Sequence, residues 1–237
     1  METLAAIKNR RSIQKYKEDP VPLDLIGAVI EAGSMAPSAG DQQAWKFVVI
    51  QDEGARKAIA DFSLEQYWIG KAPVLIVVVA EEDMMRKFYG VRGEKLYAIQ
   101  NCAAAIENML LAAQEFGLGA CWVGAFDEHT VTRVAGVPDS ARVQAIVTLG
   151  YPDETPEKKN IQPLERIMYI ENYGSRIADP SKWFWDWSSV IAKEAKGAKT
   201  AISSILKKSF ESQQKDFKTK WDKIQKKLNT KIQRPRY

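Results

Sequence analysis

Cysteine and histidine are scarce in this chain: Cys102, Cys121 and His129 are the only ones in 237 residues. Two cysteines cannot build a disulfide framework, and thiols used so sparingly fit a reducing compartment, so a cytoplasmic location is expected. A single histidine, with no CxxC or HExxH spacing, leaves no signature for a zinc site. Long hydrophobic runs are missing too. The most apolar window, residues 73–80 (PVLIVVVA), is far too short to cross a bilayer and reads as a buried strand. The opening METLAAIKNRRS lacks the apolar stretch of a signal peptide. What is present is ordinary for a folded chain, with 46% hydrophobic and 27% charged residues. That is enough chain to bury a core without disulfides or metals.

Charge is unevenly spread. The net charge is +4, yet residues 181–237 carry 15 basic against 5 acidic side chains, while the 180 residues before them carry 19 against 25. Residues 182–187 (KWFWDW) place four aromatics in six positions. Phe217, Trp221, Ile224, Leu228 and Ile232 then follow at helical spacing, one stripe of an amphipathic helix. These shifts predict a main domain over 1–178 and a basic, Trp-rich helical extension over 179–237, with the boundary near Asp179 and Pro180.

Within the main domain the pattern alternates. Pro22 to Asp24 followed by LIGAVIEAG predicts a helix with a glycine stop. Residues 45–51 and 73–80 predict strands, with a helix over 53–62 between them. The spacing of Leu96, Ile99, Ala103, Ile106, Leu110 and Ala113 predicts one long helix over 93–116, ended by Gly117. Residues 120–123 and 142–149 predict further strands, with a short helix over 128–135. Helices and strands mixed in this order argue for an α/β or α+β sandwich around one sheet.

Three short segments have chemical potential. Arg10, Arg11 and Ser12 put two cationic forks and a hydroxyl side by side, a donor set suited to a phosphate. Residues 36–45 (APSAGDQQAW) form a small-residue loop whose backbone a planar ligand can approach, with Asp41, Gln42 and Gln43 offering edge donors and acceptors. Residues 117–124 (GLGACWVG) leave a helix instead of opening one and have Trp122 where a dinucleotide fingerprint needs glycine, so a Rossmann reading is rejected. Gly124, at the end of a strand, suits close approach to a ligand.

Taken in order, the helix ending in RRS, the PSAGDQQAW loop, GLGACWVGAFD and the GYP turn resemble the FMN-dependent nitroreductase family over roughly residues 2–175. The resemblance implies an α+β sandwich with a mostly antiparallel central sheet flanked by helices, and a homodimer with FMN at the subunit interface. It implies that Arg10, Arg11 and Ser12 hold the phosphate and ribityl chain, and that Pro37, Ser38 and Ala39 lie against the isoalloxazine. Asp41 stands where the family usually has Asn, and Gln43 matches the glutamine that follows. Trp122, Val123 and Gly124 would flank the flavin N5 region through their backbone. Gln14 occupies a place often taken by Lys or Arg, and Lys158 or Lys159 would reach the phosphate after the GYP turn. Ala44 replaces a usual proline.

The activity so implied is ping-pong hydride transfer from NAD(P)H to a small electron-poor acceptor such as a nitroaromatic or quinone. The flavin supplies the redox chemistry, and no side chain is obliged to act as acid or base. Tyr67, Trp68, Phe88 and Tyr89 are candidates for stacking on a substrate. The alternatives are a reductive dehalogenase or another specialised flavin reductase of the same fold, or a non-enzymatic binding module. In that last case the basic tail would contact an anionic membrane or nucleic acid. For the tail, packing on a partner subunit with its lysines in water is the preferred reading.

Overall fold

The computed structural model describes residues 3–176, so the extension and the boundary expected near Asp179 lie outside the described residues. By contacts the chain divides into Met1–Asn160 and Ile161–Tyr237.

The first unit is a helix–sheet–helix sandwich. Its four strands are β1 (Trp45–Ile50), β2 (Val74–Ala80), β3 (Gly119–Val123) and β4 (Arg142–Gly150). They are ordered β1-β2-β4-β3, with every neighbour antiparallel. The PVLIVVVA run explains the centre: all seven residues of β2 are buried, because helices cover both faces of the sheet. Val74, Ile76, Val78 and Ala80 face one layer, formed by α2 (Leu23–Ser34) and α6 (Ala98–Glu115). Leu75, Val77 and Val79 face the other, formed by α3 (Glu53–Asp61), α4 (Trp68–Lys71) and α7 (Glu128–Ala135). A register shift opposite Val78 and Val79 leaves Gln144 without a partner on β2. This extra residue reverses the side-chain parity, so Val143 joins Ile146 on the α3/α7 face while Ala145 and Val147 face α6.

Local chemistry sets several boundaries. Asp52 caps α3 by accepting from Ala55 N, and Asp127 caps α7 by accepting from Thr130 N. Gly117 (φ 73°) and Gly136 (φ 64°) are the left-handed residues that close α6 and α7. A short helix α1 (Thr3–Asn9) precedes the arginine pair.

Two expectations need correction. Gly33 is not a stop: it lies inside α2, where an added Cβ would fall 2.7 Å from Met109 Cγ, so it allows α2 and α6 to pack closely. The long helix expected over 93–116 is present, with a wider-wound first turn over Gly93–Tyr97 that runs directly into α6. A helix not foreseen, α5 (Glu82–Arg92), precedes it and is kinked at Gly90 (φ 60°, ψ −152°). The apolar stripe expected for α6 is met at Ile106, Leu110 and Ala113 and missed at Ile99. Ala98, Asn101, Cys102, Ala105 and Met109 are buried, whereas Ile99 is exposed.

In the second unit, residues 161–176 contain the short helix α8 (Leu164–Ile167) and a tilted Tyr169–Tyr173 pair with ring centroids 4.9 Å apart.

Candidate active site

After α1 the chain runs extended beside β3. Ser12 bridges Ala120 in parallel, Ile13 N donates to Ala120 O (3.1 Å), and Tyr16 bridges Pro152. Gly119 permits this approach, since a Cβ there would meet the Ile13 side chain at 2.8 Å. Gly150 has the same duty against Pro73 and Tyr16. The Glu154 carboxylate accepts from the backbone of both Gln14 (2.6 Å) and Lys15 (2.9 Å), pinning the segment to the loop after the GYP turn.

The two arginines differ. Arg11 donates from Nη1 to Lys8 O and Arg10 O (2.8 Å each) and from Nε to Glu157 O (3.1 Å), so much of its fork is bonded to main-chain carbonyls. Among the described residues the Arg10 side chain, itself largely buried, has one long ionic contact, Nε to Glu107 Oε1 at 3.8 Å. Burial raises the Cys121 thiol, and the Ser12 hydroxyl bonded to it and the nearby Arg10 charge partly offset that rise. Arg10, Ser12 and β3 therefore share one corner of the sheet. Lys158 and Lys159 are exposed and directly follow Glu157, the residue whose carbonyl meets Arg11. The Gln14 side chain is exposed at the same edge.

The 37–43 loop is conformationally expensive. Gly40 (φ 57°), Asp41 (φ 55°) and Gln43 (φ 50°) are all left-handed, and for the two non-glycine residues this costs on the order of 1 kcal/mol each. Ser38 Oγ accepts from Gln43 N (3.0 Å), Gln43 Nε2 donates to Asp41 Oδ1 (3.0 Å), and Ala39 N donates to Asn101 Oδ1 (3.0 Å). The Asp41 carboxylate is thus already engaged by Gln43. Tyr89 covers Gly40 so closely that a Cβ would overlap its hydroxyl. Tyr89 stacks edge-on with Tyr97, whose ring also lies under Arg92.

At the far end of β3, Trp122 is half-exposed and Val123 is buried. A Cβ on Gly124 would meet nothing within 4 Å, so its missing side chain is not required by the packing of its own chain. A second strained turn borders this end: Leu64 (φ 51°) and Glu65 (φ 59°) are left-handed, and Gln66 Nε2 donates to Ala125 O at 2.9 Å. Tyr67 and Phe88 are exposed, Trp68 is half-buried, and His129 is exposed on α7.

A single chain does not bring all these residues together. Trp45, which ends the 37–43 loop, pairs with Ala80 at one end of β2. Ala120, beside Ser12, pairs with Leu149, which pairs with Val74 at the other end. The two segments occupy diagonal corners of the sheet, about 20 Å apart along the strands and about 14 Å across them. Sequence reasoning missed Tyr16, Glu154 and Asn101. Glu154 had only its position after the GYP turn as a signal, and Asn101 had only its polarity within an apolar stripe.

The Nitroreductase family model matches residues 7–70 and 63–151. The chain belongs to the nitroreductase family. An NADH dehydrogenase of Thermus thermophilus is 34% identical, over 69% of this chain and 93% of the relative. An FMN reductase [NAD(P)H] of Bacillus subtilis is 25% identical, over 73% of this chain and 74% of the relative. A solved nitroreductase family protein from Clostridium novyi NT superposes with a TM-score of 0.60 at 28% identity, covering 75% of this chain and 97% of its own. Membership in the nitroreductase family makes this chain an oxidoreductase. All three candidate segments fall within the matched span, whereas residues 152–237 lie beyond it.

Proposed function

We propose that this chain is an FMN-dependent NAD(P)H oxidoreductase that works as a homodimer and reduces small electron-poor acceptors such as nitroaromatics or quinones. The observation that carries the reading is the corner formed by Arg10, Ser12 and β3. It combines a cation whose ionic partner among the described residues is distant, a hydroxyl, and a strand ending at a glycine with free space beside it. That donor set suits a phosphate dianion, and the open backbone at Gly124 suits the close approach of a planar ring.

FMN, when bound, supplies hydride acceptance from NAD(P)H and hydride delivery to the acceptor. Arg10 and Ser12 neutralise and orient the phosphate, with Lys158 or Lys159 adding charge from the adjoining loop. Arg11 holds the segment in shape through its carbonyl bonds. Pro37, Ser38 and Ala39 form the wall against the ring, and Asp41 and Gln43 address its polar edge. Gln14 contributes through its backbone position and brings no charge. Trp122, Val123 and Gly124 flank the reactive region of the ring through main chain.

The diagonal separation of the two segments is why the site needs a second copy: only across a twofold can the 37–43 loop of one subunit approach Arg10 of the other. Leu4, Ile7, Leu23, Met35 and Ile99, all exposed on α1, α2 and α6 or at their ends, supply apolar surface for such a contact. The extension, with its excess of lysines, is read as packing on the partner subunit. On that reading the full chain binds neither anionic vesicles nor oligonucleotides in a salt-dependent way.

The test is the absorption spectrum of the isolated protein before and after anaerobic NAD(P)H, followed by a nitroaromatic or quinone. A bound flavin that bleaches and then recovers, with ping-pong kinetics, supports the reading. Colourless protein that takes up no FMN on reconstitution defeats it.

A further inference from the structure

Asn101 is an anomaly by composition. It sits in the first turn of α6, on the face that carries Cys102, Ala105, Ile106 and Met109, and it is 4% exposed. A buried amide in such a stripe is unfavourable unless its polar atoms are paired. The Asn101 Nδ2 faces only Met85 Sδ, at 3.8 Å, a weak acceptor. Oδ1 has the stronger partner, Ala39 N at 3.0 Å. What an asparagine provides here, and a leucine of similar size does not, is one acceptor for the amide of Ala39.

That amide opens the turn in which Gly40 and Asp41 adopt left-handed conformations, with Gln43 following. Among the described residues, the other hydrogen bonds made by residues 37–43 stay within 37–45: Asp41 N to Ser38 O, Gln42 N to Ala39 O, Gln43 N to Ser38 Oγ, Trp45 N to Gln43 O, and the Gln42 and Gln43 side-chain amides to Gly40 O and Asp41 Oδ1. These bonds shape the loop and tie its end to β1 at Trp45, but they do not fix the Ala39–Asp41 turn to the helices. A strained loop persists only where its surroundings over-determine it. The Asn101 bond supplies that fixed point, and the Tyr89 hydroxyl against Gly40 adds a steric stop. Met85, the other neighbour of Asn101, is fully buried, so the amide is held from behind as well.

We infer that Asn101 is a positioning residue: its side-chain carbonyl locks the 37–43 loop onto α6 in the conformation that presents Pro37, Ser38 and Ala39 to the flavin ring. The inference rests on the proposed role of that loop. It goes further by assigning the loop's placement to a core residue that touches no ligand.

Three variants of the full chain test it: Asn101→Leu, Asn101→Asp and Asn101→Ala. Each is measured in three ways, by hydrogen exchange of amides 39–43 in flavin-free protein, by FMN affinity from fluorescence quenching, and by thermal midpoint. Asn101→Leu removes the acceptor, so exchange at 39–43 should speed up at least tenfold and FMN affinity should fall at least tenfold. Asn101→Asp keeps an acceptor and should stay within threefold of the original on both, although its buried carboxyl lowers the thermal midpoint more than leucine does. A purely structural residue would instead rank exchange and affinity in the order of stability. If Asn101→Leu does not fold, Asn101→Ala makes the same comparison. Original exchange rates and affinity in the Leu or Ala variant overturn the inference, as does affinity that tracks the thermal midpoint alone. If the original chain binds no FMN the functional reading fails, and the exchange data still decide whether Asn101 holds the loop.

Discussion

The Tyr16 hydroxyl lies 2.6 Å from Thr148 Oγ1 and 2.5 Å from Ile13 O, joining the segment after the arginine pair to the middle of the sheet. Thr148 Oγ1 also lies 3.4 Å from Cys121 O. Two hydroxyl protons serve three contacts, and the order Thr148 to Tyr16 to Ile13 uses both for the two short ones. Tyr16→Phe removes the central hydroxyl and leaves a buried carbonyl and a buried threonine short of a partner. The cost should be about 1–3 kcal/mol in urea unfolding. An unchanged midpoint would mean the network is not formed in solution.

Folding stability should decline on the alkaline side. Burial pushes the Cys102 thiol up to about 12 and raises Cys121 and Tyr16 as well. An unfolded thiol loses its proton near pH 8.5 and an unfolded tyrosine near pH 10, so the unfolded chain releases protons that the folded chain retains. These groups contribute fully below the unfolded values, and their contribution is lost as pH rises through the window above them. Thermal midpoints from pH 7 to 10.5 should fall beyond about pH 8.5, and less steeply in Cys102→Ala, which has one such thiol fewer. A flat profile to pH 10.5 would contradict the buried, neutral state of these groups.

Some of the fold was legible because one force dominated. Residues 73–80 read as a buried strand since nothing but burial on both faces explains seven consecutive apolar residues. The short helix over 128–135 was legible as well, and the structure shows Asp127 and Gly136 bracketing it. Other features depend on distant partners. Gly33 looked like a stop because its reason, Met109, is 76 residues away. The kink within α5 depends on Gly90 taking an angle that its neighbours in sequence do not announce. Of the candidate site, residue types were legible and duties were not: Arg10 and Arg11 are neighbours with the same chemistry, and only the carbonyls around Arg11 distinguish them.

That distinction can be measured. Arg11→Gln removes bonds to Lys8 O, Arg10 O and Glu157 O, and should destabilise the fold by about 1–2 kcal/mol. Arg10→Gln loses one long ionic contact to the half-exposed Glu107, so its thermal midpoint should fall less than that of Arg11→Gln. Its FMN affinity should fall about tenfold or more and lose part of its salt dependence, as a missing phosphate partner requires. Equal effects of the two substitutions on both measurements would refute the division of roles.

Two glycines at opposite ends of β3 should respond in opposite ways. At Gly119 an added Cβ would meet Ile13 atoms at 2.8–2.9 Å, so Gly119→Ala must push the arginine segment away from the strand. Overpacking of this kind costs typically about 1–3 kcal/mol, and the thermal midpoint should fall accordingly. At Gly124 the same atom would meet nothing within 4 Å of its own chain, and the backbone there is not left-handed. Gly124→Val should therefore fold with a near-original midpoint, while its branched side chain fills the space assigned to the ring and FMN affinity collapses. Should Gly124→Val bind FMN as tightly as the original, the ring does not lie against this strand end.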